Sequence, residues 1–408
     1  MFARRPVGVM LTLGLMLAFP IAATTAAQAT ATYMVQAGAV APEGSPAVAS
    51  SFEYTKYYPT TIQVNQGDTV HWNFFGFHSV AFLPSDSNIQ HPAFVRTDEV
   101  PGVFAANEPW IFGGDCGTGT QDACPIADTA SLVRSGIQPA GGFSALMNLA
   151  AGTYRYHCTV YPNMHGYVQV VAGTPSNPTQ AAIDAQIADD TTRAKTLYDS
   201  DSVPSSTVVD GKRVWTVYTG DAFTDSQSGQ PIGGVAINAY MPTTLSVGVG
   251  DEVQYVTDGA LGTTKDGFHT VTFPQSLVGD HTVPSTPIPD KLSGLSLIPA
   301  CDPDGVAGRA PGIPYMLACP APASFELLLS PLLSKPHPAN ANAIPLIVTY
   351  HDSGLMVPPA APDWLRGEPL GSGMRFPTEF TADFPRAGGY SYACVIHGTD
   401  MAGTINVG

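Results

Sequence analysis

Six short segments recur, in the same order, in the two halves of this 408-residue chain. Tyr33-Met-Val-Gln-Ala-Gly38 returns as Trp215-Thr-Val-Tyr-Thr-Gly220, and Pro59-Thr-Thr-Ile-Gln-Val64 as Pro242-Thr-Thr-Leu-Ser-Val247. Gly67-Asp-Thr-Val70 is answered by Gly250-Asp-Glu-Val253, and Gly76-Phe-His78-Ser-Val-Ala-Phe82 by Gly267-Phe-His269-Thr-Val-Thr-Phe273. Tyr154-Arg-Tyr-His-Cys158 pairs with Tyr390-Ser-Tyr-Ala-Cys394, and Met164-His-Gly-Tyr-Val168 with Met401-Ala-Gly-Thr-Ile405. A shared order over that many segments marks a duplication, so whatever one copy folds into, the other must fold into as well.

Each copy reads as short strands. Thr61-Ile-Gln-Val64 and Val70-His-Trp72 alternate apolar and polar residues around the Gly67-Asp68 turn. Tyr154, Tyr156 and Cys158 fall on one strand face, Arg155 and His157 on the other. Forty-one glycines and 37 prolines suit an all-β protein with long loops. One segment breaks the pattern. Asn177 as N-cap, Pro178 at the first helical position, and Ile183 and Ile187 at i,i+4 predict a helix to about Tyr198, a packed connector between the copies. Both copies carry a large insertion before the Tyr-x-Tyr-x-Cys strand, at roughly 83–148 and 275–385. In the second, Phe325-Glu-Leu-Leu-Leu-Ser-Pro-Leu-Leu333 is apolar enough for a short buried helix, or for an exposed docking patch.

Arg4 and Arg5, the apolar stretch from Val7 to Phe19, and Ala27-Gln28-Ala29 predict an export signal peptide over residues 1–29, with the arginine pair leaving twin-arginine export open. The apolar run is too short and wrongly flanked for a membrane span. The expected product is secreted or periplasmic, with no membrane insertion. Of six cysteines, Cys116 and Cys124, and Cys301 and Cys319, are close neighbours inside the insertions and read as disulfides in an oxidising compartment. Cys158 and Cys394 are left over at equivalent repeat positions; a bridge between those two is the competing account. A formal charge of -16, made more negative by loss of Arg4 and Arg5, argues against nucleic acid and anionic membranes as partners. A basic partner protein fits that charge, as does simple solubility.

The closing run Cys394-Val-Ile-His397-Gly-Thr-Asp-Met401 offers a thiolate, an imidazole and a thioether from one turning loop, and His269 adds a second imidazole from a distant strand. Such a set suits a trigonal copper that accepts both Cu(I) and Cu(II). Taken alone, His269 is an ordinary half-buried histidine.

With these residues in register the chain resembles the cupredoxins, as a tandem of two plastocyanin- or amicyanin-like type 1 blue copper domains. The resemblance covers the two β units and neither the insertions nor the linker. It implies two Greek-key β-sandwiches with long loop insertions, at 30–173 and 209–408, joined by a short helical linker at 174–208. It implies type 1 copper as cofactor, with His269 and Cys394 as core ligands, His397 as the more exposed ligand and electron route, and Met401 as the weak axial ligand. It also implies an electron carrier, not an enzyme, that serves a redox partner protein.

The first copy departs from the pattern. His78, Cys158 and Met164 remain, at the close loop spacing of the amicyanin-like branch, but Tyr161 stands where the second histidine should be. A neutral phenol is a poor ligand. His165 aligns with Ala402, and His157 lies on the wrong strand face unless a bulge turns it. That site reads as empty, weakened or of altered geometry. His71, His91, His281, His337 and His351 form no His-x-His pair, so the sequence supplies no ligand cluster for type 2 or trinuclear copper. Two other functions stay open: a copper-dependent oxidoreductase with a further copper at an interface, and a non-redox copper-binding or cell-surface interaction module.

Overall fold

The computed structural model describes residues 30–76, 78–82, 94–96, 104–106, 123–128, 130, 133–136, 142–158, 161, 163–257, 269–273, 275, 344–345, 351–353, 356, 378–394 and 397–408. The expected export signal, the apolar 325–333 segment, Cys116, Cys301 and Cys319 lie outside the described residues, with most of both insertions.

The strands of the first copy are β1 (Thr32–Gly38), β2 (Phe52–Tyr58), β3 (Thr61–Val64), β4 (Thr69–Phe75), β5 (Ala81–Phe82), β6 (Phe94–Arg96), β7 (Phe104–Ala106), β8 (Cys124–Ile126), β9 (Val133–Arg134), β10 (Gly142–Met147), β11 (Gly152–His157) and β12 (His165–Val170). Helix α1 (Gln180–Asp201) and β13 (Ser205–Val209) follow. The second copy comprises β14 (Lys212–Gln227), β15 (Gln230–Met241), β16 (Thr244–Val247), β17 (Glu252–Val256), β18 (Thr272–Phe273), β19 (Ile344–Pro345), β20 (His351–Asp352), β21 (Glu379–Asp383), β22 (Gly388–Cys394) and β23 (Gly398–Val407). The described protein is thus mostly β, with one long helix.

The duplication is visible in the pairing. One five-stranded sheet runs β3-β12-β11-β5-β9, and its counterpart β16-β23-β22-β18-β20. Each shares a hydrophobic core with strands of a longer sheet, in a layered, sandwich-like arrangement. Strict alternation makes this possible. In β4, Val70, Trp72 and Phe74 are buried and their neighbours are not; β17 does the same with Val253 and Tyr255. The two cores even repeat their aromatic contacts. Tyr156 lies 4.7 Å from Tyr57, 5.2 Å from Trp72 and 5.3 Å from Phe82; Tyr392 lies 4.6 Å from Tyr240, 5.1 Å from Tyr255 and 5.0 Å from Phe273. β10 and β21 fall where the sequence reading placed insertions. Both are body strands, antiparallel to β4 and β17, so the insertions are shorter than expected.

The helix is not the only link between the two copies. β2 pairs antiparallel with β15, Phe52 opposite Ile237 and Glu53 opposite Ala236, which joins the halves into one eleven-stranded sheet. Every residue of β2 is buried. Tyr57 faces the first core, while Phe52, Tyr54 and Tyr58 face α1, whose Ile183, Ile187, Ala194 and Leu197 form a third core with Val235, Ile237 and Met241. The helix is therefore a cover over the seam.

Its start differs from the expectation. Thr179 is the N-cap, its side chain accepting from the Ala182 N–H. Asn177 is committed elsewhere: its Oδ1 accepts from Gln63 N (2.7 Å) and its Nδ2 donates to Gln63 O (2.9 Å), satisfying the backbone of β3. Thr179→Ala is expected to cost about 1 kcal/mol in denaturant unfolding, and no loss there would remove Thr179 from the capping role.

The expected disulfides are corrected as far as the described residues go: no disulfide joins two of the described cysteines, and Cys116, Cys301 and Cys319 lie outside them. Cys158 and Cys394 are buried, reduced thiols in separate cores, which excludes a bridge between them. No helix among the described residues is long and apolar enough to cross a membrane.

Candidate metal centre

The second copy delivers its donors from three places. His269 precedes β18 and is anchored by a two-way backbone bridge to Met356, with N–H to O distances of 3.1 and 2.8 Å. Cys394 ends β22, and His397 sits in the turn before β23. The antiparallel ladder of β22 and β23 shifts register between Ala393 and Cys394, so Cys394 pairs with Gly398. That irregularity opens the loop that carries His397.

His269 Nδ1 lies 3.3 Å from His397 Nδ1, and Cys394 Sγ lies 3.5 Å from His397 Nδ1. Ligand atoms of all three residues lie within 4.8 Å of one another. Metal bonds of about 2.0–2.3 Å, the lengths known for zinc, put planar ligands about 3.5–4 Å apart. The residues therefore fit one ion between them. All three are buried, His397 at 8% exposure and His269 at 4%. Burial lowers the His269 pKa to about 3, so its imidazole is neutral at ordinary pH, the form a metal ligand needs. Met401 is buried in the same hydrophobic core as Cys394, on β23.

Further groups hold this cluster, and the sequence reading did not single them out. The Thr270 backbone N–H donates to Cys394 Sγ (3.3 Å), and Tyr240 Oη donates to the Thr270 carbonyl (2.5 Å). Gly220 lies behind the imidazole: a Cβ placed there would come 2.2 Å from His269 Nε2. The signal for Gly220 was present, since it closes the first matched segment, as Gly38 does in the first copy.

The first copy repeats the frame. Tyr57 Oη donates to the Ser79 carbonyl (2.5 Å), and a Cβ at Gly38 would meet His78 Nε2 at 2.5 Å. Ser79 Oγ donates to Cys158 Sγ (3.8 Å). Cys158 N–H donates to the Met164 carbonyl (3.0 Å), and Met164 N–H to that of Tyr161 (3.0 Å), so the shortened loop closes on itself. Tyr161 occupies the place of His397, its ring 5.4 Å from that of His78, against 4.9 Å between His269 and His397. Neither other histidine replaces it. His165 donates from Nδ1 to the Pro231 carbonyl (2.9 Å), and His157, on the outer strand face, packs its ring 5.9 Å from that of His165. His71 bonds Ser144 Oγ (2.7 Å) and Asn73 Oδ1 (3.1 Å). Burial also lowers the His78 pKa to about 3, only partly opposed by the nearby Phe75 carbonyl.

No family model and no curated protein matches the chain. Among solved structures it is similar to an oxidized mutant of amicyanin, at 17% identity over 34% of this chain and 82% of that one, with a TM-score of 0.19. It is similar to oxidized plastocyanin from Dryopteris crassirhizoma, at 13% identity over 47% and 99%, TM-score 0.17, and to a mutant fern plastocyanin, at 16% identity over 34% and 100%, TM-score 0.17.

Proposed function

We propose that this chain is an exported blue copper protein of two Greek-key, cupredoxin-like units, 30–173 and 209–408 about the segment 174–208, and that it carries electrons. The observation that supports this reading best is the buried convergence of His269 Nδ1, His397 Nδ1 and Cys394 Sγ. Two imidazoles and a thiolate suit copper, and Met401 would add a weak thioether donor. Copper bound there supplies a one-electron couple between Cu(I) and Cu(II).

The chain's own residues do the rest. His269 offers a neutral imidazole, held from behind by Gly220. The Thr270 N–H on Cys394 Sγ steadies the charge of a thiolate. Because Tyr240 and the Met356 bridge hold these positions before any metal arrives, the ligands have little room to rearrange when the charge of the site changes. His397 is the ligand nearest the surface, so a redox partner meets the site there. The net charge of -16 favours a basic face on that partner. The lack of His-x-His pairs favours a carrier over an enzyme, and residues 1–29 favour a secreted or periplasmic location.

Copper-loaded protein is expected to show an intense thiolate-to-copper band in the visible range and a single type 1 signal by electron paramagnetic resonance. Cys394→Ala should abolish the band entirely. Loaded wild type without it sinks the reading, and a type 2 signal would favour an oxidoreductase over a carrier.

A further inference from the structure

We propose that the first copy is a second metal site, one that holds Cu(I) on His78, Cys158 and Met164 and does not support Cu(II). It relies on the reading of the second copy only for the identity of the metal.

The main evidence is an unexplained buried group. His78 is fully buried, and although the Phe75 carbonyl lies near its ring, neither ring nitrogen makes a hydrogen bond of good geometry. Burying an imidazole without a hydrogen bond of good geometry is costly, and native structures seldom keep such a group without a use. A metal on one nitrogen accounts for it. The surrounding frame is that of the second copy: the left-handed glycine behind the ring, the tyrosine on the following carbonyl, and a donor on the cysteine sulfur. Cys158 and Met164 are buried at this same end, tied by the Cys158 N–H on the Met164 carbonyl.

What changed is the donor set. Tyr161 puts a phenolic ring where His397 puts an imidazole, so the second nitrogen donor is missing. One imidazole, one thiolate and one thioether form a soft set of low coordination number, which selects Cu(I). Charge points the same way. When Cu(I) binds, the Cys158 thiol releases its proton to solvent and the thiolate and ion together are neutral. Cu(II) would leave a net positive charge in a buried pocket that lacks the second imidazole.

The test uses full-length apo wild type, Cys394→Ala, Cys158→Ala and the double variant, each titrated anaerobically with Cu(I) against a chromogenic Cu(I) chelator, with folding checked by circular dichroism. The expected counts per chain are two, one, one and none. The Cys394→Ala complex should stay colourless and silent to paramagnetic resonance after mild chemical oxidation. One Cu(I) in wild type and none in Cys394→Ala would overturn this proposal and leave the second site standing. One in wild type that persists in Cys394→Ala would support it and sink the other. A Cu(II) signal from oxidised Cys394→Ala would also overturn it. Should Cys158→Ala misfold, Met164→Leu, which conserves volume, is expected to weaken the Cu(I) retained by Cys394→Ala at least tenfold; unchanged affinity would count against the site.

Discussion

Gly220→Ala is expected to weaken copper binding at the second copy by about 10–100-fold, the range seen when a group supporting a metal ligand is lost. Gly250→Ala should leave binding unchanged. The pair separates two effects. Both glycines have left-handed backbone, φ +77 at Gly220 and +86 at Gly250, so a side chain at either costs about 1–2 kcal/mol of strain. At Gly250 a Cβ meets nothing within 4 Å; at Gly220 it would reach 2.2 Å from His269 Nε2 and 2.7 Å from its Cδ2. No real contact is that short, so the imidazole must move, and its Nδ1 leaves the position it holds against His397 and Cys394. Both variants lose stability in denaturant, Gly220→Ala the more of the two because of the added clash, and only Gly220→Ala loses affinity in competition with a copper chelator. Equal copper affinity in the two variants would remove Gly220 from any role in positioning His269.

Lys56→Met should destabilise the protein by about 3–5 kcal/mol, the cost of breaking a buried ion pair from one side. Lys56 comes from β2, Asp190 from α1 and Asp225 from β14, so three segments meet at one charge. Lys56 Nζ lies 3.1 Å from Asp190 Oδ2 and 2.7 Å from Asp225 Oδ2, with both Lys56 and Asp190 almost fully buried. Tyr58 Oη donates to Asp190 Oδ2 (2.8 Å), and Arg193 bridges Asp190 and Asp225 at 3.2 and 2.8 Å. Without the lysine, Asp190 keeps only the tyrosine and a partly exposed arginine. Adding Asp190→Leu to Lys56→Met should recover much of the loss, since a packed apolar pair can replace a buried ionic one. A Lys56→Met variant as stable as wild type in urea would contradict the reading of this cluster as the clamp on the seam. Acid should loosen it as well. Partial burial raises the Asp225 pKa, but hydrogen bonds from Arg193 and Lys56 outweigh that and hold it below the usual carboxylate range. Its contribution is complete above the unfolded value, about 4, and fades as the pH falls through the lower folded value.

These two clusters differ in how far the sequence announced them. The His/Cys/His cluster was legible because its spacing is local: Cys394 and His397 lie three residues apart, and the repeat brought His269 into register with His78. Gly220 was legible as a match and not as a role, because a missing side chain says nothing of what fills its space. The seam left no trace. Lys56 sits in Phe52–Tyr58, which has no counterpart among the six matched segments, and its partners are 134 and 169 residues away. The N-cap was misplaced for a similar reason. Asn177 and Thr179 are both good caps by type, and only the contact of Asn177 with Gln63, across 114 residues, decides between them.

By itself the sequence determined the duplicated all-β unit, the altered Tyr161 and the grouping of His269, Cys394 and His397, all consequences of period, alternation and short spacing. Only the tertiary structure decided that the copies share one sheet, that α1 covers their seam, and that His165 turns to Pro231 instead of a metal. Those outcomes depend on which strand edges remain to be satisfied once each copy has folded. β2 and β15 present such edges to each other, and backbone hydrogen bonding leaves no pattern of side chains from which that pairing could be read.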